Sequence, residues 1–153
     1  MKPVRSNEGG AGLKREITIL QQCRHPNIVP IRGVVVDDDN NVEAMLTEFI
    51  PNAITLDDID YSRFTEQECD PWISQIRSAI DYLHAHGHVW GDAKPANIFK
   101  HPEGHLVLVD FAGDATNGWV TAEKMNTKEG DIQAFNLIKK FLQQRIADVV
   151  ESK

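Results

Sequence analysis

An interval of 18 residues between two aspartates, Asp92 and Asp110, constrains this chain more than any other feature. The first opens the run Asp92-Ala93-Lys94-Pro95-Ala96-Asn97, and the second directly follows the apolar run Leu106-Val107-Leu108-Val109. Between them, Ile98-Phe99 and Leu106–Val109 flank Pro102-Glu103-Gly104, a spacing that predicts a β-hairpin. Paired strands return to where they began. The hairpin would therefore hold Asn97 at its start and Asp110 at its finish, at one end of the same ribbon. Taken singly, Asp92 or Asn97 is an ordinary residue of an Asp/Asn-rich turn. Two acids, a lysine and an amide gathered at one ribbon end ask for a chemical reason.

Phosphoryl transfer supplies one. It demands little covalent help, so positioning and charge neutralisation do most of the catalysis. A carboxylate such as Asp92 would orient an attacking hydroxyl and accept its proton. An ammonium such as Lys94 would steady the moving group as a point charge. Mg2+ prefers oxygen ligands, which Asp110 and the Asn97 amide oxygen offer.

The remaining pattern is that of one mixed domain. At 153 residues with 41% hydrophobic content, the chain has enough apolar material for a core. A net charge of −7 and the lack of a basic run argue against a nucleic-acid or anionic-membrane partner. Cys23 and Cys69 make no disulfide framework, which predicts a reduced, intracellular (cytoplasmic) setting. Residues 1–12 read as a flexible lead-in, and no apolar stretch reaches the length of a membrane span.

A helix is predicted over Leu13–Gln22, with Leu13, Ile17 and Leu20 on one stripe and Glu16 on the same stripe. A glutamate there either reaches solvent from the stripe edge or needs a buried partner. Residues 28–36 and 42–50 read as antiparallel strands around the acidic run Asp37–Asn41. Asp70-Pro71 predicts a helix start and Gly87 its end. A long amphipathic helix is predicted over Glu129–Glu151, where Asp131 would complement the helix dipole. The alternating His84, His86 and His88 invite a metal reading, but Gly87 would separate them. His101 and His105 flank the hairpin turn and are expected at the solvent-exposed surface.

The run Gly91–Ile98 resembles the catalytic loop of protein kinases, where an Asp, a Lys two residues on and an Asn five residues on recur. Asp110-Phe111-Ala112 resembles the metal-binding Asp-Phe-Gly element, with alanine in place of glycine. Glu16, followed by His25-Pro26-Asn27-Ile28-Val29, is similar to the glutamate of the regulatory helix and the turn after it. Met45–Asn52 resembles the strand and hinge joining the two lobes. Tyr82-Leu83-His84 and Gly87 resemble the helix leading into the catalytic loop, and Asp131–Phe135 the start of the central helix of the large lobe.

This resemblance spans roughly residues 13–150 and implies an α+β, partial protein-kinase-like fold. Residues 1–12 would be a flexible segment, 13–50 a remnant of the small lobe and hinge, and 51–153 a mainly helical, partial large lobe. It implies ATP and Mg2+ as cofactors and a protein substrate as partner. Asp92 and Lys94 would be catalytic, and Asn97 and Asp110 would hold the metal. Thr47 would stand at the gatekeeper position, the backbone of Glu48 and Ile50 at the adenine edge, and Phe99 beneath the adenine ring. Glu16 and Asp131 would be structural, Asp131 by tethering the catalytic-loop backbone.

The chain also departs from the family. The glycine-rich loop and the strand lysine partner of Glu16 are expected upstream of residue 1, since Lys2 and Lys14 stand elsewhere, and the last large-lobe helices beyond residue 153. Trp90-Gly91 replaces the usual His-Arg, and Asp131 follows Asp110 by only 21 positions. The resemblance therefore implies transfer to protein Ser/Thr hydroxyls in an intact parent. The alternative is a catalytically impaired pseudokinase acting as a binding or scaffold module. A small-molecule phosphotransferase is a third reading, disfavoured by Lys94.

Overall fold

The computed structural model describes residues 10–153. Helices α1 (Gly10–Gln22), α2 (Glu66–Ala85) and α3 (Lys128–Glu151) are combined with short strands β1 (Ile31–Val36), β2 (Val42–Thr47), β3 (Ile54–Thr55), β4 (Ile98–Lys100) and β5 (Leu106–Leu108). The architecture is α+β, as expected. Most of the anticipated lead-in, residues 1–9, lies outside the described residues. Gly10–Gly12 already belong to α1, three residues ahead of the expected start. A Cβ on Gly12 would stand 3.3 Å from the Ala112 methyl, so the bare glycine lets this first turn approach the segment after Asp110.

Strands β1 and β2 form a two-stranded antiparallel sheet, and β3-β4-β5 a separate three-stranded one. The acidic connection between β1 and β2 is a self-satisfied turn. Asp37 Oδ1 accepts from the backbone N–H groups of Asp39 and Asn41, and these bonds with the Asn41 side chain hold its carboxyl below the usual range. The two strands are shorter than predicted because residues 28 and 29 serve the other sheet. Ile28 pairs with Leu108 in parallel, Val29 donates to the Leu108 carbonyl, and Leu108 donates to that of Asn27. This stretch thereby fastens the segment after α1 to the hairpin β4–β5.

Helix α2 starts at Glu66 rather than at Asp70. Thr65 and Glu68 make a reciprocal capping box, with Thr65 N–H donating to Glu68 Oε2 at 2.8 Å and Glu68 N–H to Thr65 Oγ1 at 3.3 Å. The capping box sets the start ahead of Pro71, which now lies inside the helix and cannot donate an interior bond. Helix α3 begins one residue before its predicted start, capped by Thr127 on Gly130 N–H.

One core joins these elements. Leu20 from α1, Ile76, Ile80 and Leu83 from α2, Ile98, Leu106 and Leu108 from the hairpin, and Ile138 from α3 are fully buried together with Trp90 and Phe111. The segments carrying Asp92 and Asp110 are thus each anchored by one buried aromatic side chain, Trp90 ahead of the first and Phe111 after the second. No helix among the described residues is long and apolar enough to cross a membrane.

Candidate active site

The hairpin does what its sequence predicts. Asn97 immediately precedes β4, Asp110 follows β5 by two residues, and the Val109 N–H donates to the Asn97 carbonyl at 3.0 Å across the open end. Both residues therefore sit at the same end of the ribbon, with the Asp92 loop beside them. Asp110 has φ of 64°, a left-handed conformation that aspartate tolerates better than most side chains.

Asp92 is only 5% exposed, and its carboxylate is fully engaged. Oδ1 accepts from the Thr116 hydroxyl at 2.8 Å, Oδ2 accepts from Asn97 Nδ2 at 3.0 Å, and Lys94 Nζ stands 3.5 Å from Oδ2. Lys94 also donates to Thr116 Oγ1 at 2.7 Å. Thr116 thus bridges carboxylate and ammonium with one hydroxyl, fixing their separation. Asn97 spends its amide donors on the Asp92 carboxylate and carbonyl, which leaves its amide oxygen to a cation.

Asp110 completes the cluster. Partial burial pushes its carboxyl above the ordinary range, opposed by the Ala112 N–H and reinforced by the negative charges of Asp92 and Asp114, with Lys94 acting the other way. Acids held together in low dielectric, with one lysine among them, form a donor set suited to a hard divalent cation. The residues present are of the chemical types that fit Mg2+, and Asp110 and the Asn97 amide oxygen could hold it.

Two polar clamps hold this cluster in place. Asp131, at the start of α3 and 2% exposed, accepts from Trp90 N–H at 2.8 Å, from Gly91 N–H at 2.9 Å and from His84 Nε2 at 2.8 Å. Asp131 stands in the first turn of α3 and also bonds the backbone just ahead of Asp92. From α1, Glu16 Oε1 accepts from Phe111 N–H at 3.0 Å, so this glutamate faces inward rather than to solvent. Its neighbour Arg15 donates to the carbonyls of Phe111 and Val89, both at 2.8 Å. The peptide following Asp110 is gripped on both sides by one helix.

Trp90 adds a link within the core. Its indole N–H donates to the carbonyls of Val109 and Asp110, and its ring lies 6.3 Å from that of Phe111. Gly91 has φ of 87°, and a Cβ there would stand 2.6 Å from Asn126 Oδ1 and 3.0 Å from Gly113 Cα. The close approach of two backbone segments requires glycine at this point.

The other sequence-derived site residues lie at the end of β2, in the segment just after it, and in β4. Thr47 ends β2 and is exposed, Glu48 N–H donates to the Pro30 carbonyl, and Ile50 packs against the core. Phe99 lies in β4, opposite Thr55 and Val107. Among the described residues, no hydrogen bond or ion pair joins these four to the Asp92 cluster. Thr116 and Arg15 were missed in the sequence: neither lies in a recognisable motif, and Thr116 is 24 positions from its partner Asp92.

A sequence profile for the protein kinase domain matches residues 2–133. The chain is 26% identical over 125 residues to the rat serine/threonine-protein kinase STK11, covering 80% of this chain and 29% of that protein. It is 31% identical over 116 residues to a probable casein kinase II subunit alpha homolog of Encephalitozoon cuniculi, covering 72% and 33%. It is 32% identical over 99 residues to the CBL-interacting serine/threonine-protein kinase 5 of Arabidopsis thaliana, covering 65% and 22%. The matched region spans no more than a third of the length of these relatives.

Proposed function

The chain belongs to the protein kinase domain family, and from that premise we propose that its acid cluster serves ATP-dependent phosphoryl transfer to Ser/Thr hydroxyls of a protein substrate. One observation carries the reading: a buried Asp92 is fixed by Thr116 and Asn97, beside Lys94 and within the field of Asp110.

In this reading Asp92 orients the attacking hydroxyl and takes its proton, while Thr116 holds the carboxylate in register. Lys94 neutralises charge on the transferring group. Asn97 and Asp110 would hold Mg2+, which when bound supplies electrostatic stabilisation of the phosphate oxygens. Glu16 and Arg15 fix the peptide after Asp110, and Asp131 fixes the backbone before Asp92. Thr47 as gatekeeper, the backbone of Glu48 and Ile50, and Phe99 would receive the adenine. Residues 13–50 would then contribute a small-lobe remnant and hinge, and 51–153 large-lobe structure. The free, buried thiols of Cys23 and Cys69 suit an intracellular setting.

A second reading, a nucleotide- or partner-binding module without turnover, is favoured by Trp90-Gly91, where the family carries His-Arg. Transfer of the γ-phosphoryl group of ATP to a generic protein substrate separates the two. The catalytic reading expects Asp92→Asn to lower the rate by about 10²–10³-fold. Equal rates in parent and variant would reject Asp92 as the base. Nucleotide binding without transfer in the parent would favour the second reading.

A further inference from the structure

At the closed end of the hairpin, away from Asn97 and Asp110, the turn His101-Pro102-Glu103-Gly104-His105 gathers two imidazoles and a carboxylate. The turn is rigidly tied. His101 N–H donates to the His105 carbonyl and Gly104 N–H to the His101 carbonyl, both at 2.8 Å. Gly104, at φ of 104°, permits the reversal, and its carbonyl accepts from Trp72 Nε1 of α2 at 3.2 Å. Residues 101 and 105 leave the paired strands on the same face. Their rings stack with centroids 4.4 Å apart and an interplanar angle of 19°. Both histidines keep the surface position expected, though each is only partly exposed.

Glu103 comes to the same place. Its carboxylate stands 3.8 Å from His101 Nδ1, and one ligating atom from each of His101, Glu103 and His105 lies within 4.8 Å of the others. The nearby ammonium of Lys100 does not compete, since it sits over the Phe64 ring at 5.1 Å. We propose that this turn binds one borderline divalent transition cation, Zn2+ or a close analogue, through His101, Glu103 and His105.

Two imidazoles and one carboxylate are the ligand types such ions prefer, and they leave a fourth tetrahedral position to water. Bonds of about 2.0–2.2 Å would draw the three ligand atoms together by roughly an ångström, and the two rings would rotate out of their present stack to aim their in-plane lone pairs at the ion. His101 Nδ1 would exchange its present bond from the Glu103 N–H, at 3.0 Å, for the metal. Mg2+ gains little from imidazole, so the turn and the Asp92 cluster select different ions. The proposal is independent of the phosphoryl-transfer reading. A bound ion would clip the ribbon whose open end carries Asn97 and Asp110, stabilising the native state by mass action.

The test titrates the whole chain with Co2+ and then Zn2+ in excess Mg2+, which keeps the oxygen-rich cluster occupied. One equivalent of Co2+ should develop the visible bands of four-coordinate cobalt, and Zn2+ should displace it. His101→Ala with His105→Ala should weaken binding at least about tenfold and abolish the bands. His86→Ala with His88→Ala, on residues outside the turn, should change neither. Should the first double variant fail to fold, the exposed Glu103→Gln replaces it, with about tenfold weaker binding expected. Equal affinity in the parent and the turn variants, or uptake that never saturates near one equivalent, would overturn the site.

Discussion

Asp131→Ala removes the acceptor that fixes the backbone ahead of Asp92, and its cost follows from the structure. The carboxylate takes two buried backbone N–H groups, of Trp90 and Gly91, and the His84 ring. Each buried donor left without a partner costs about 1–3 kcal/mol, so the two backbone groups alone predict a loss of about 2–6 kcal/mol. That is a large share of the roughly 5–15 kcal/mol that holds an ordinary domain together. Asp131→Asn keeps one carbonyl oxygen and sets an amide donor against a backbone donor, so it should lose about 1–3 kcal/mol. Urea unfolding followed by far-UV circular dichroism measures both. With a slope of about 1–3 kcal/mol per molar, a 3 kcal/mol loss lowers the midpoint by about 1–3 M. A cycle with His84→Ala isolates the shared bond: the double variant should lose less than the sum of the singles by about 0.5–3 kcal/mol. A stability for Asp131→Ala within about 0.5 kcal/mol of the parent would refute the tether argument, since distant surface substitutions do no more than that.

Asp110→Asn should stabilise the metal-free protein at neutral pH. The carboxyl is raised by burial and by neighbouring acids, so the native state binds more protons than the unfolded one between the ordinary carboxylate value and the raised one. Parent stability therefore falls as pH rises through that window, and the variant's advantage should disappear below the ordinary value of about 3.9. Thermal melts across that range check the sign; a variant less stable at neutral pH would contradict it. Thr116→Val keeps the shape but loses the hydroxyl joining Asp92 to Lys94, and should lower phosphotransfer by about tenfold or more while leaving the fold intact. Transfer at the parent rate would remove Thr116 from the site.

The legible parts of this molecule were those written in short intervals. The hairpin, Asn97 and Asp110 share a local pattern, so period and turn chemistry place them without tertiary information. The hydrogen bonds of Asp131 to the backbone of residues 90 and 91 span about 40 positions, so sequence left them level with a simple helix-dipole role, and they form only once α3 packs. Thr116 and Arg15 were illegible because nothing local marks a hydroxyl or guanidinium whose partners lie tens of residues away. Asp70-Pro71 misled for a different reason. It is a genuine start signal, but Thr65 and Glu68 offer a better-satisfied one a few residues earlier. The strand ends near Pro30 erred because residues 27–29 found a partner in β5, which no single-strand pattern reveals.

In the proposed function, side chains 92, 97 and 110 converge on a magnesium nucleotide. Thermal unfolding of the parent with and without millimolar Mg2+-ATP, set beside Asn97→Ala with Asp110→Asn, tests that most directly. A raised melting temperature in the parent that the double variant loses is the expected result. No rise in the parent, or an equal rise in both proteins, would contradict it.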